Sequence, residues 1–281
     1  MKYLVLIVFM VIALLCRSYI VRHIFTPIRK GNKNVPHIPY ENVEIEVSSA
    51  TIRGWLMKSE RAKGCFILVH GWSSNKSDML RYADPLIASG YYVLLVDVLG
   101  HGESDAIQKQ VSIKSFVQSI KGMIDYVEGR SDIHKEIYVL GHSLGGTAAS
   151  IANATDVRVQ AVITDSMPTS LKSISQSMAG NINMLYIPFS WFLLRGGVFF
   201  KARREWHLEK ILKNQKSSAL AIHSILDKKV PISNVDILLK DSNFKQVIKV
   251  ETKGHNSCVK DELFWDNIFH FITSNEVDVS R

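Results

Sequence analysis

The sequence predicts an α/β protein in which parallel strands are joined by crossover helices. Helical and strand-like runs alternate along the chain: a helical run over 78–89 precedes a strand over 91–97, and another over 113–128 precedes a strand over 136–141. The chain has 281 residues, of which 47% are hydrophobic, so it can bury the core of one large domain. We find no internal repeat.

The folded domain is expected over residues 41–275, followed by a tail at 276–281. Its first two strands, at about 43–47 and 51–57, are separated only by residues 48–50, which predicts an antiparallel hairpin at one edge of the sheet. Residues 26–40 are expected to link this domain to an apolar segment at 1–25.

A serine lies where a buried strand is expected to turn into a helix. The apolar run 137–140 leads directly into Gly141–Gly145, whose sequence is Gly-His-Ser-Leu-Gly. The glycines allow a tight turn, and strain in such a turn raises the hydroxyl of Ser143 to where a base and a substrate carbonyl can reach it. Because the pattern is short, a glycine-rich turn with an ordinary capping serine is the alternative interpretation.

Two further motifs give the sequence a family resemblance. A His-Gly pair at 70–71 follows the apolar run 65–69, and the run Asp-Val-Leu-Gly-His-Gly-Glu-Ser at 97–104 follows the next strand-like run. Together with the serine motif, these segments resemble the α/β-hydrolases from about Glu44 to about Ser274. The resemblance implies a mostly parallel eight-stranded sheet with helices on both faces, and a helical cap at about 167–216 between strands six and seven.

The resemblance also implies a set of catalytic residues. Ser143 is the expected nucleophile, Asp227 after the seventh strand the expected acid, and His255 after the eighth the expected base. The backbone N–H groups of Trp72 and Leu144 are the expected oxyanion-hole donors. The residue types fit the chemistry, because a hydroxyl attacks poorly at neutral pH until a neutral imidazole, oriented by a carboxylate, takes its proton.

Other residues could fill these roles. Asp165 follows the apolar run 159–163 and is the rival acid, since some proteins of this fold carry the acid after the sixth strand. Asp97 is expected to stabilise the loop after the fourth strand and is given no catalytic role. Four histidines near predicted strand ends are expected to be structural rather than the base: His70, His101, His142 and His223.

The predicted cap contains many large apolar side chains. They are concentrated at 184–200, and Lys201, Arg203 and Arg204 follow them. One interpretation is a pair of core-packing helices with a solvated basic face. The other is an apolar cap that accepts an acyl chain and contacts a lipid surface.

The chain begins with an apolar segment. Residues 3–16 carry no charge, and counting on through Val21, with Arg17 reaching toward the interface, gives a length compatible with a hydrocarbon core about 30 Å thick. We therefore predict an N-terminal membrane anchor over 1–25. A cleaved signal peptide and a buried or interfacial helix are the alternatives, although the sequence around Cys16 offers only weak cleavage sites.

Basic residues are concentrated beside this segment. The net charge is +8, but six basic residues precede the first acidic one, Glu41, and the rest of the chain carries only +2 (28 basic against 26 acidic). This distribution predicts a flank that contacts anionic lipid on the cytoplasmic side, and it does not resemble a nucleic-acid-binding face. A cytoplasmic catalytic domain is therefore expected, with export as the alternative. The six residues are Lys2, Arg17, Arg22, Arg29, Lys30 and Lys33.

The cysteines agree with a reducing compartment. Cys16, Cys65 and Cys258 have no spacing typical of a disulfide framework or a metal site. We expect neither a cofactor nor a metal ion.

These features predict a serine hydrolase that cleaves a carboxylic ester through an acyl-enzyme on Ser143, and the apolar cap and anchor favour a lipid-like ester. A thioesterase or protein deacylase and a serine peptidase are the alternatives, because this fold hosts many chemistries. A protein of a different class, a non-catalytic binding protein with the same fold, is disfavoured because candidates for all three catalytic roles are present. The sequence does not predict the oligomeric state.

Overall fold

A computed structural model describes residues 2–60, 62–108, 110–170, 173–174, 208–241 and 244–279. The strands found there form one eight-stranded sheet in the order β1-β2-β4-β3-β5-β6-β7-β8. The pairs β1–β2 and β2–β4 are antiparallel, and all other neighbours are parallel. The strands are β1 (Tyr40–Val47), β2 (Ala50–Met57), β3 (Cys65–Val69), β4 (Tyr92–Val96), β5 (Ile137–His142), β6 (Val159–Asp165), β7 (Ser218–Ser224) and β8 (Phe244–Val250).

Helices connect most of the parallel strands. The predicted fold class is confirmed, including the antiparallel hairpin of β1 and β2 at one edge. Within the described ranges the helices are α1 (Lys2–Phe25), α2 (Leu80–Ala88), α3 (Ile113–Gly129), α4 (Leu144–Asn153), α5 (Leu208–Lys213), α6 (Ser233–Asp241) and α7 (Glu262–Val279), with short 3-10 turns at Lys76–Met79 and Cys258–Lys260.

The sheet separates two hydrophobic layers. Strand β3 is buried on both faces and alternates between them: Ile67 packs in the layer that contains α3 and α4, whereas Phe66 packs in the layer that contains α2 and α7. Helix α3 contributes Phe116, Ile120 and other side chains spaced three or four residues apart, which place one apolar stripe on the sheet. Helices therefore cover both faces, as the resemblance implied.

The fold brings the candidate site residues to one edge. In an open parallel sheet the carboxyl ends of the strands lie along the same edge, where ligands bind. Trp72 follows β3, Ser143 follows β5, Asp227 follows β7 and His255 follows β8.

Several predicted boundaries move by a few residues. Strand β1 begins at Tyr40 rather than near 43, and α7 extends to Val279, so most of the predicted tail at 276–281 is helical. Of the predicted cap at 167–216, residues 171–172 and 175–207 lie outside the described residues. The cap and the division of the chain into anchor, linker and domain remain predictions.

The N-terminal segment forms helix α1. A search of the described residues finds no helix that combines the length and the apolar character needed to cross a membrane. The predicted spanning anchor at 1–25 is therefore not supported.

Candidate active site

Ser143 occupies a strained turn between β5 and α4. Its backbone has φ 54° and ψ −123°, a conformation that a residue with a side chain rarely adopts. The neighbouring glycines make the turn possible, because a Cβ on Gly141 would lie 2.4 Å from the Gly145 oxygen, and one on Gly145 would lie 2.3 Å from the Val69 oxygen. This geometry is that of a nucleophile elbow.

His255 is paired with Asp227. The Nδ1 atom of His255 lies 2.6 Å from Oδ2 of Asp227, while Oδ1 accepts hydrogen bonds from the amides of Lys229 and Val230 at 2.8 and 2.9 Å. Burial alone would raise the pKa of Asp227, but the bond and charge of His255 together with the two amides lower it below its ordinary value. The carboxylate is thus ionised and holds a proton on Nδ1, which leaves Nε2 free to accept one.

The donor and the acceptor of the expected proton transfer both lack a hydrogen-bond partner. Ser143 Oγ and His255 Nε2 are buried, and neither has a hydrogen-bond partner among the described residues. Buried polar atoms are normally paired, so two orphans at one edge of the sheet point to a site completed by a ligand or by a small movement. Catalytic hydrogen bonds are often long before substrate binds.

Two backbone N–H groups lie beside Ser143. Leu144 is the first residue of α4, and Gly71, just before Trp72, is so close that an added Cβ would lie 3.1 Å from Cβ of Ser143. Within the described part of the chain, neither Leu144 N–H nor Trp72 N–H donates a hydrogen bond. The Trp72 indole is fixed by an edge-on contact with the His101 ring, at a centroid distance of 5.3 Å.

His142, inside the serine motif, holds His255 rather than competing with it. Its Nε2 lies 3.0 Å from the backbone oxygen of His255, so Nε2 carries the proton and donates it. Burial is the main reason why the pKa of His142 lies well below its ordinary value, which keeps the ring neutral. The sequence pattern alone did not reveal this contact, which joins residues 113 positions apart.

Two more of the alternative histidines are engaged in structural bonds. His70 accepts from Val98 N–H at Nε2 (3.1 Å) and donates from Nδ1 to the Gly71 oxygen (2.8 Å). His223 donates from Nε2 to the Val230 oxygen at 2.8 Å. Burial lowers the pKa of both rings, so both are neutral. Both nitrogens of His70 and Nε2 of His223 are therefore engaged with the backbone.

Asp165, the rival acid, belongs to a separate buried group. Its Oδ2 accepts a hydrogen bond from the Tyr82 hydroxyl at 2.6 Å, and its Oδ1 accepts one from the Ser166 hydroxyl at 2.8 Å. No contact to His255 is found among the described residues. Tyr82 was not singled out from the sequence, because its position in α2 looks like one more apolar position on an amphipathic helix.

The loop after β3, residues 70–79 and here called the β3 loop, is fixed from beneath by a buried ion pair. Lys76 is 1% exposed, and its Nζ lies 2.7 Å from Asp97 and 2.6 Å from Glu103. The Lys76 amide donates to the same Asp97 carboxylate at 2.6 Å. Breaking such a buried charge pair is strongly unfavourable, so Asp97 stabilises the β3 loop. In the loop after β4, where Asp97 was expected to act, its Oδ2 also accepts a hydrogen bond from the Glu103 amide at 3.0 Å.

The described residues offer no metal site, and two of the cysteines are buried. The described part of the chain contains no cluster of His, Cys, Asp and Glu side chains able to hold a metal ion. Cys65 and Cys258 are buried and unbonded to each other; burial raises the pKa of Cys65 to about 12 and that of Cys258 further still. Neither thiol is a nucleophile near neutral pH.

The sheet order, the crossover helices and the strained serine after β5 define the α/β-hydrolase fold. The family model described as serine aminopeptidase, S33, matches residues 60–188, somewhat less than half of the chain. The chain resembles the Pyrococcus furiosus esterase Pf2001 over 89% of its own length and 97% of that chain, with a TM-score of 0.73 and 20% identity. It also resembles Est1E from Butyrivibrio proteoclasticus, solved with ferulic acid bound, over 85% of its length and all of that chain, with a TM-score of 0.66 and 15% identity.

Sequence relatives match a shorter part of the chain. A 2-hydroxy-6-oxononadienedioate/2-hydroxy-6-oxononatrienedioate hydrolase from Paraburkholderia xenovorans is 33% identical over 98 residues, which are 33% of this chain and 32% of that protein. A hydrolase of the same name from Escherichia coli is 30% identical over 108 residues, 37% of this chain and 36% of that protein. The matched region thus spans about a third of the length of these relatives.

Proposed function

We propose that the protein is a serine hydrolase that cleaves carboxylic esters through an acyl-enzyme on Ser143. The observation that carries the proposal is the 2.6 Å bond between His255 Nδ1 and Asp227, which leaves Nε2 unpartnered while the Ser143 hydroxyl is also unpartnered. Nucleophile, base and orienting acid then follow the logic of a serine triad.

The chemistry proceeds in two halves. Ser143 Oγ attacks the ester carbonyl as its proton passes to His255 Nε2, and the Trp72 and Leu144 N–H groups stabilise the oxyanion. The tetrahedral intermediate collapses, and the alcohol leaves with the proton from His255. A water molecule then gives a proton to His255 and attacks the acyl carbonyl, which releases the carboxylic acid and regenerates Ser143.

The resemblances support hydrolysis and suggest more than one substrate class. Pf2001 is an esterase by name, which favours an ester. The description serine aminopeptidase, S33, favours a peptide as the second candidate. A lipid-like acyl chain is proposed from the apolar sequence at 184–200, which lies outside the described residues.

A substrate panel tests the proposal. Purified protein would be assayed with p-nitrophenyl acetate, butyrate and octanoate, an acyl thioester and an aminoacyl p-nitroanilide. We expect ester turnover, with kcat/KM for octanoate at least about tenfold above that for acetate if the site accepts an acyl chain, since each buried CH₂ contributes about 0.8 kcal/mol.

The control is Ser143→Ala protein prepared in parallel, which accounts for contaminating esterases. A preference for acetate would exclude the lipid-like substrate, and turnover of the anilide alone would establish the peptidase. Absence of turnover together with absence of fluorophosphonate labelling would favour the non-catalytic binding protein.

Location is a separate proposal: helix α1 attaches the protein to a membrane, with the folded domain on the cytoplasmic side. Its support is the exposure of apolar side chains along α1, such as Tyr3 (83%), Leu4 (65%) and Leu15 (64%), beside a basic flank. We expect the protein in the membrane fraction, accessible to protease only from the cytoplasmic side. Recovery of the full-length chain in the supernatant would contradict it.

A further inference from the structure

The segment that follows α1 lies against the outer side of the β3 loop. We call residues 28–34 the strap. The Ile28 amide donates to Oγ of Ser73 at 3.0 Å. The amides of Lys33 and Asn34 both donate to Oγ of Ser77 at 3.1 Å. Two serine hydroxyls of one loop therefore satisfy three strap N–H groups.

Asn75 binds two backbone carbonyl groups of the strap. Its side-chain Nδ2 donates to the oxygens of Lys30 and Gly31 at 3.1 and 2.8 Å, while its Oδ1 accepts from the Asp78 amide at 3.2 Å. Asn75 is only 2% exposed, so its side-chain amide is shielded from water. Breaking its bonds to the strap is costly, because it would leave this buried amide unsatisfied.

The strap is also fixed to the loop after β4. The Arg29 guanidinium donates from Nε to the Gly102 oxygen at 3.2 Å and also to the Ser104 oxygen. Just before the strap, the Phe25 oxygen at the end of α1 accepts from the Val111 amide at 2.7 Å. The strap thus has an anchorage independent of the β3 loop, and it can act as a brace for that loop.

Ser73 is the point at which this brace reaches the site. It directly follows Trp72, the candidate oxyanion donor, and its backbone has a φ of 53°, which is unfavourable for serine. The Asp97 carboxylate holds Lys76 on the inner side of the loop, but among the described residues the Ser73 hydroxyl bonds only to the strap. The strained residue next to the donor is therefore held from outside.

We propose that the strap is a positioning element of the oxyanion hole: residues 28–34 hold Ser73 and Ser77 so that the Trp72 N–H points at the substrate oxyanion. This proposal rests on the proposed function. Without the strap, Ser73 relaxes toward negative φ, and the backbone of the neighbouring Trp72 moves with it. The Trp72 N–H then stabilises the transition state less well, while binding of the substrate changes little.

The test compares two changes in the full-length chain. Ser73→Ala/Ser77→Ala removes both acceptors, whereas Ser74→Ala removes a hydroxyl of the same loop that bonds to Asp78 at 2.7 Å and not to the strap. Rates are divided by the number of sites titrated with a fluorophosphonate, so that misfolded protein does not contribute.

We expect the double variant to lose about 10- to 100-fold in kcat, somewhat less than loss of a whole oxyanion donor, with KM changed less than about threefold. Its affinity for a boronic acid, which forms a tetrahedral adduct on serine, should fall by the same factor. Ser74→Ala should stay within about twofold of wild type in kcat and in boronate affinity.

Equal per-site kcat and boronate affinity in the double variant and wild type would overturn the proposal, as would an equal loss in Ser74→Ala. If the double variant does not fold, Ser73→Ala alone serves, with an expected loss of about three- to tenfold. A wild-type protein that fluorophosphonate does not label would overturn the proposed function as well, which separates the two failures.

Discussion

Replacing Ser143 by alanine should lower kcat for ester hydrolysis by about 10⁴- to 10⁶-fold, the range expected when a serine nucleophile is removed while binding groups remain. The reason is that no other hydroxyl can take its place: the turn at φ 54° presents one oxygen, and that oxygen is unpartnered. Active-site labelling by a fluorophosphonate should disappear in parallel. Steady-state kinetics and gel fluorescence measure the two effects.

Ser166→Ala is the matched control. Ser166 is also a buried serine with positive φ (56°) at the end of a strand, but its hydroxyl already donates to Asp165 at 2.8 Å. Its removal should leave labelling intact. Labelling that survives in Ser143→Ala, or vanishes only in Ser166→Ala, would show that the elbow serine is not the nucleophile.

The sequence predicts those parts of the site that depend on local chain geometry. The elbow needs glycines at fixed offsets from Ser143, and both glycines approach backbone atoms that leave no space for a Cβ. Strand β3, buried on both faces, is a run of five apolar residues that periodicity detects directly. Such features depend on residues that are consecutive in the chain, so the fold class and the position of the serine could be predicted from the sequence.

Contacts between distant segments could not be predicted in this way. The bond from His142 to the backbone of His255, the bond from Tyr82 to Asp165 and the strap bond to Ser73 join residues 45 to 113 positions apart. None of these contacts produces a periodic pattern or a fixed spacing in the sequence, because each depends on how the loops meet after the sheet has formed. The choice between Asp165 and Asp227 as the partner of His255 was open for the same reason.

Asp227→Asn should lower kcat by about 10³- to 10⁴-fold without unfolding the protein. The Asn side-chain oxygen can keep the bonds from the Lys229 and Val230 amides, which now reach Oδ1. Its NH₂ group then faces His255 Nδ1 and forces the proton to Nε2. In that tautomer the imidazole cannot accept the Ser143 proton. The arrangement of the site is therefore kept, but the attack by Ser143 is blocked.

The pH dependence of the same variant provides a second measurement. The pKa of Asp227 in the folded protein is lowered from its usual value of about 4, so this carboxylate contributes stability at neutral pH that is lost as the pH falls below about 4. The amide in Asp227→Asn does not titrate, so the free energy of unfolding of the variant should fall less than that of the wild type between about pH 7 and about pH 3. Urea unfolding at the two pH values measures the difference.

The variant Asp165→Asn distinguishes the role of Asp165 from that of Asp227. Asp165 bonds to Tyr82 and Ser166 instead of His255, so its replacement should cost less than about tenfold in kcat per titrated site. A larger loss in Asp165→Asn than in Asp227→Asn would make Asp165 the functional acid. The His255 ring would then have to turn from the Asp227 carboxylate, at 2.6 Å, toward a group that already accepts two hydroxyl hydrogen bonds. Since that exchange would break a charge-assisted bond and leave Asp227 buried without its imidazole, we expect the pairing with Asp227 to persist during turnover.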